Sequence, residues 1–212
     1  MTVSQRFQSV LEWFRLNMPV AEPELHFKNP FQLLVAVMLS AQCTDKRVNL
    51  VTPSLFEAFP SPESLANASI GQVLSHIRSV SYPNSKAAHL VAMAQCLLRN
   101  FDGTVPASIN DLQSLPGVGR KTASVVMAVA FGSPAMPVDT HVFRVSHRLG
   151  LVPEKATTPL AVEKVLRKHI PEAEWTLAHH WLLLHGRYVC TARSPHCVQC
   201  GLAPWCKTNA HR

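Results

Sequence analysis

Residues 30–42 read PFQLLVAVMLSAQ, a stretch that is apolar on every side when wound as a helix. A helix with no polar face has to be surrounded, so this segment predicts a central rod and obliges the rest of the chain to cover it. The covering segments also read as helices. Val10, Trp13, Phe14 and Met18 form one stripe spaced three to four residues apart; Ala87, Leu90, Val91, Ala94 and Leu98 form a second; Val162, Val165, Leu166 and Ile170 form a third. Alternating, β-branched segments are scarce. The chain has sixteen prolines and eight glycines, and Pro30, Pro53, Pro83 and Pro106 each precede a helix-like run, a position where the missing N–H costs nothing. The fold class is all-α, with roughly ten helices and short connections.

With 47% apolar residues in 212, the chain can bury a core as one large domain or two small ones. The longest uninterrupted apolar run, 33–39, is far below the roughly 20 residues that a membrane span needs. Near the N-terminus stand Arg6, Glu12 and Arg15, where a secretion signal would be apolar. A soluble, cytoplasmic protein with no membrane association is therefore expected. Twenty Lys+Arg against thirteen Asp+Glu leave a formal charge of +7, which favours a polyanionic partner such as nucleic acid.

Four of the six cysteines, Cys190, Cys197, Cys200 and Cys206, crowd into CTARSPHCVQCGLAPWC. Without a secretion signal, disulfides are disfavoured and a shared metal centre is the natural use of four close thiols. Zinc commonly takes paired C-x2-C knuckles, whereas one tight pair with long flanking gaps suits a [4Fe–4S] cube better, and the spacing admits both. Arg193 and His196 lie between the cysteines, so a loop folded around a cluster would present them to DNA. Trp205 reads as a shield for the cluster. Cys43 and Cys96 lie in apolar helical segments and read as core residues.

The stretch LPGVGRKTA, 115–123, reads as a hairpin between two helices, with Ser108 or Asn110 as the cap of the first. Gly117 and Gly119 would turn the backbone with positive φ, and the N–H groups about Gly117, Val118, Gly119 and Arg120 would hold a phosphate at the next helix start. Arg120 and Lys121 then stand at the positive end of a helix dipole, where a cation is disfavoured and a neutral amine, the nucleophilic form, is favoured. Asp139, in PVDTH, reads as a helix N-cap whose carboxylate stays ionised and can also serve catalysis. Asp45 reads as another cap or an arginine partner, Asp102 and Asp111 as structural or exposed, and His141, His179, His180 and His185 as packing or hydrogen-bonding groups.

With LPGVGRKTA, PVDTH, SAQCTD, HGRYVC and the cysteine array in this order, residues 31–206 closely resemble the endonuclease III family of DNA repair glycosylases. The resemblance implies two helical lobes with damaged DNA bound across the cleft between them. One is a six-helix barrel at 21–133, carrying a helix-hairpin-helix at about 108–131; the other, 1–20 plus 134–212, carries a [4Fe–4S] cluster. By the same resemblance Lys121 is the nucleophile, Asp139 the essential carboxylate, and Cys190, Cys197, Cys200 and Cys206 the cluster ligands, while Gln42 fills the gap left by an extruded nucleotide.

The implied activity is that of a bifunctional DNA N-glycosylase and AP lyase in base excision repair. Its substrate would be double-stranded DNA containing oxidised pyrimidines or abasic sites, and a monomer is expected. One departure stands out. Where the family commonly has a Gly-Leu-Tyr-Asn-like loop whose leucine wedges into the duplex, this chain has Ser81, Tyr82 and Pro83, a bulkier wedge on a stiffer loop. A monofunctional glycosylase and a non-catalytic hairpin module are the competing readings, and Lys121 argues against both.

Overall fold

The computed structural model describes residues 1–209, which form eleven α-helices and, among the described residues, no strand. In chain order these are α1 (Val3–Asn17), α2 (Pro30–Ser40), α3 (Asp45–Ala58), α4 (Pro62–Ala66), α5 (Ile70–Ile77), α6 (Pro83–Phe101), α7 (Ile109–Ser114), α8 (Arg120–Phe131), α9 (Thr140–Leu149), α10 (Pro159–His169) and α11 (Trp175–Tyr188). Three short 3-10 turns, Glu172–Glu174, Cys197–Gln199 and Ala203–Trp205, complete the set. None of the helices is long and apolar enough to cross a membrane.

The helix starts are written locally. Thr2, Asn29, Thr44, Ser61, Ser69, Ser108, Asp139 and Thr158 each accept a hydrogen bond from a first-turn N–H of the helix that follows. Each such cap stabilises its helix by about 1 kcal/mol. Two expectations shift. Thr44, not Asp45, caps α3, leaving Asp45 in the first turn, where its charge still suits the dipole. Pro53 lies inside α3 rather than ahead of a helix, so the ladder there lacks one N–H donor. Pro106 stands before the Ser108 cap, outside α7.

The chain divides into two compact units, Glu24–Ser133 and a second one made of Met1–Pro23 with the segment from Pro134 onward. In the first, α2 is the central rod, with every residue from Phe31 to Leu39 buried and α3, α6 and α8 packed around it. Even Gln32 is taken in, its side-chain carbonyl accepting from the Lys28 N–H at 2.9 Å. Each fully buried leucine there contributes roughly 1.5–3 kcal/mol.

The second unit is built around α9 and α11. Gly186 allows them close approach, since a Cβ there would stand 2.9 Å from both His141 Cβ and Val145 Cγ2. Phe14 of α1 stacks on Trp181 of α11 with ring centroids 5.4 Å apart, and the Trp181 indole N–H donates to the Met18 carbonyl at 2.6 Å. A buried aromatic pair with its one polar atom satisfied ties the N-terminal helix to the C-terminal half of the chain.

Candidate active-site residues and DNA-facing surface

In the unit Glu24–Ser133, the turn between α7 and α8 is pinned from below. Leu115 and Val118 are buried in the core, and the Val118 N–H donates to the Leu115 carbonyl at 3.1 Å. Val118 therefore holds the turn from inside: neither its side chain nor its N–H is offered outward, contrary to the sequence expectation. Gly117 has φ +78°, and a Cβ on it would lie 2.8 Å from His89 Cβ and 3.0 Å from Met38 Cε. Gly117→Ala is accordingly expected to destabilise the protein by roughly 2–3 kcal/mol, combining a left-handed backbone penalty with overpacking, as a urea melt would measure.

Gly119 differs from the expectation of positive φ at both glycines. Its backbone is extended (φ −86°, ψ 172°), and a Cβ there would meet nothing within 4 Å. It matters as the N-cap of α8, a cap with no side chain to satisfy the first-turn N–H groups, unlike the Ser, Thr, Asn and Asp caps elsewhere. Gly117, Gly119, Arg120 and Lys121 are all exposed at this helix start. The turn thus presents backbone donors, a guanidinium and an amine on one small surface, an arrangement suited to an anion.

Two further candidates share an uncommon conformation. Gln42 (φ 55°) follows the C-cap of α2, and Tyr82 (φ 54°), 65% exposed, is the N-cap of α6. Left-handed backbone at a residue other than glycine costs roughly 1–2 kcal/mol, so surrounding contacts must impose it. The Ser81 hydroxyl donates to the Gln42 carbonyl at 2.6 Å, which puts the two loops side by side. Asp102, the third such residue, is a plain helix stop beside Gly103, whose N–H donates to the Leu97 carbonyl at 3.1 Å.

In the second unit, Asp139 is the half-buried N-cap of α9, its Oδ1 accepting from the Val142 N–H at 2.8 Å. The cysteines lie further along, between α11 and the end of the described chain. All four are half-buried, and among the described residues no disulfide forms. Burial pushes the Cys200 thiol above its ordinary range against a backbone hydrogen bond at Leu202, and nearby Cys190, Cys206 and Cys197 add to the rise. Four thiols within reach of one another's charge fit a cationic iron core. Among the described residues, no group of three or more His, Cys, Asp or Glu is arranged to hold a single metal ion.

The loop's supports include residues that the sequence reading missed. Arg148 donates to the carbonyls of Thr191 (2.7 Å) and Ala192 (2.8 Å) and contacts Cys190 Sγ at 3.5 Å. Arg144 donates to the carbonyls of Gly186 (2.8 Å) and Cys190 (3.1 Å), and Arg6 to that of Trp205 (3.0 Å). The i, i+4 spacing of Arg144 and Arg148 on α9 was the available signal. The Trp13 ring lies so close to Gly201 that an added Cβ there would come within 2.4 Å of it, and Trp13 and Trp205 both pack with Cys190, Cys200 and Cys206 against the core of this unit.

Arg193 and His196 are exposed between the cysteines, while the Lys207 ammonium pairs with Glu154 at 2.9 Å. The buried histidines serve as hydrogen-bonding groups: His179 Nδ1 is 2.7 Å from the Pro137 carbonyl oxygen and His180 Nδ1 is 2.8 Å from that of Thr176. Burial lowers His185 to about 4, leaving it neutral near pH 7.

A helical protein with an exposed lysine beside an uncapped hairpin, and four clustered thiols, belongs to a class defined by comparison as well as by geometry. Residues 35–172 match the HhH-GPD superfamily of base excision DNA repair proteins, and residues 190–206 match the iron-sulfur binding domain of endonuclease III. The endonuclease III of Rickettsia felis is 46% identical over 204 residues, covering 96% of this chain and 95% of that protein. That of Escherichia coli is 41% identical over 198 residues, covering 93% of each. A trapped covalent endonuclease III–DNA intermediate, in its estranged-adenine complex, superposes with a TM-score of 0.94 at 43% identity, covering 100% of this chain and 99% of that one.

The chain belongs to the endonuclease III family: a bifunctional DNA glycosylase and AP lyase for oxidised pyrimidines, with a [4Fe–4S]-binding domain around its C-terminal cysteines. It is a DNA-binding repair enzyme.

Proposed function

We propose that Lys121 is the nucleophile of both steps and Asp139 its acid–base partner, acting on double-stranded DNA that contains an oxidised pyrimidine or an abasic site. The observation that carries this is the exposed Lys121 in the first turn of α8, directly after the uncapped Gly119. The damaged nucleotide leaves the stack, since its C1′ is unreachable within it. The Lys121 Nζ lone pair forms a bond to C1′, the glycosidic C–N bond breaks, and the base departs with that electron pair and takes up a proton. Asp139 accepts the ammonium proton and stabilises positive charge on the sugar. Ring opening gives a Schiff base. Loss of a proton from C2′ then expels the 3′ phosphate, breaking the strand by β-elimination.

The N–H groups at Gly117 and Gly119, with Arg120, hold a phosphate near this turn, and Val118 anchors the turn from within. Gln42 and Tyr82 occupy the space vacated in the duplex. Arg193 and His196 contact backbone phosphates from the cysteine loop. Cys190, Cys197, Cys200 and Cys206 hold the [4Fe–4S] cluster, which crosslinks a loop whose only regular structure is two 3-10 turns. The protein acts as a monomer, in the cytoplasm, at the nucleoid.

The test is borohydride trapping on duplexes bearing thymine glycol or an abasic site. A covalent protein–DNA adduct is expected; tight binding without an adduct would instead indicate a glycosylase that activates water. Cys200→Ser is expected to lose the iron and the broad visible absorption and to lower the melting temperature, whereas full iron content in that variant would remove Cys200 from the ligand set.

A further inference from the structure

Lys86 is buried, at 9% exposure, and its ammonium donates to two carbonyls at the end of α2, those of Leu39 and Ala41, both at 2.7 Å. A cation at a helix C-terminus satisfies carbonyls that the helix cannot and complements its dipole. Burial pulls this amine below the usual lysine range, with the charge of Cys43 opposing the fall, and the two carbonyls supply acceptors for the buried donor. The Ser81 hydroxyl takes the next carbonyl, that of Gln42, at 2.6 Å. Of the four consecutive carbonyls 39–42, three are therefore gripped by the segment 81–86.

Tyr82, Lys86 and His89 fall at i, i+4 and i+7 of the α6 start, along one face. His89 and Met38 are the two side chains packed against Gly117 of the hairpin turn. One face of α6 thus joins the tyrosine, the end of α2 and the turn that precedes Lys121. Gln42 and Tyr82 are themselves exposed, so no packing of their own side chains explains why both hold a left-handed backbone.

The structure assigns Lys86 and Ser81 as positioning residues, a polar clamp that fixes Gln42 and Tyr82 side by side so that both enter the duplex together. This rests on the reading of Gln42 and Tyr82 as the residues that fill the vacated space. The clamp contributes where base pairs must be opened, and not to the chemistry at C1′.

The test compares single-turnover base release from one lesion in two settings, fully paired and within a short unpaired bubble that needs no opening. Lys86→Met is expected to slow release from the paired duplex by about tenfold or more, the effect of losing hydrogen bonds to a charged donor, and Ser81→Ala by a few fold, with both close to wild type in the bubble. Ser81→Thr, which keeps the hydroxyl, should restore the paired rate.

Gln42→Ala and Tyr82→Ala serve as references. If they slow only the paired duplex while Lys86→Met and Ser81→Ala slow both settings equally or neither, the clamp is overturned. If the references themselves show no dependence on pairing, the reading of the two residues falls and the clamp with it. Ser81 is only half-buried, so Ser81→Ala decides the matter even should Lys86→Met fail to fold.

Discussion

Lys121→Ala is expected to eliminate the borohydride-trapped adduct and to slow strand cleavage at abasic sites by at least about a thousandfold, equivalent to roughly 4 kcal/mol of transition-state stabilisation. The fold should not suffer. Lys121 is exposed, in the first turn of α8, where a cation opposes the dipole, so its removal leaves stability unchanged or raises it by a few tenths of a kcal/mol. Binding to an uncleavable abasic duplex should persist, because the hairpin N–H groups and Arg120 are untouched. Wild-type cleavage by this variant would exclude the Schiff base.

Asp139→Asn separates two roles that one carboxylate holds. Asparagine caps a helix as well as aspartate, so the bond to the Val142 N–H survives and the melting temperature should stay near wild type. Base release should nevertheless fall by about 10²–10⁴, the usual contribution of a positioned acid–base group. Asp139→Ala would add a loss of about 1 kcal/mol in stability from the missing cap. Single-turnover excision with parallel thermal melts distinguishes the cases: equal rates for wild type and Asp139→Asn would reduce the residue to a helix cap.

The helical class was legible because the signals are local. An all-round apolar segment became the buried α2, and side-chain caps at Ser108 and Asp139 fall where short polar residues precede apolar runs. Local reasoning failed where neighbours in space decide. Pro53 looked like a helix start and lies inside α3, held there by burial of the Val48, Val51, Thr52 and Leu55 face. Gly119 looked as though it needed positive φ, yet its backbone is extended; Gly117 alone of the two is left-handed, and it also has His89 and Met38 close against it.

Residues 115–123 and 190–206 carry their chemistry in composition and spacing: glycines before a lysine, and four thiols in seventeen residues, state a helix start and a metal-binding loop without any tertiary information. What grips those elements is not in their spacing. The arginines from α1 and α9 that hold the cysteine loop, Trp13 against Gly201, and Lys86 on the end of α2 come from segments 42 to 199 residues distant in the contacts that define them. The sequence by itself determined which groups can react or bind a metal, because that is a property of side chains and of short-range backbone geometry. Only the tertiary structure decided which carbonyls those charged groups satisfy, because a buried donor takes whatever acceptor the packing of distant helices leaves unpaired.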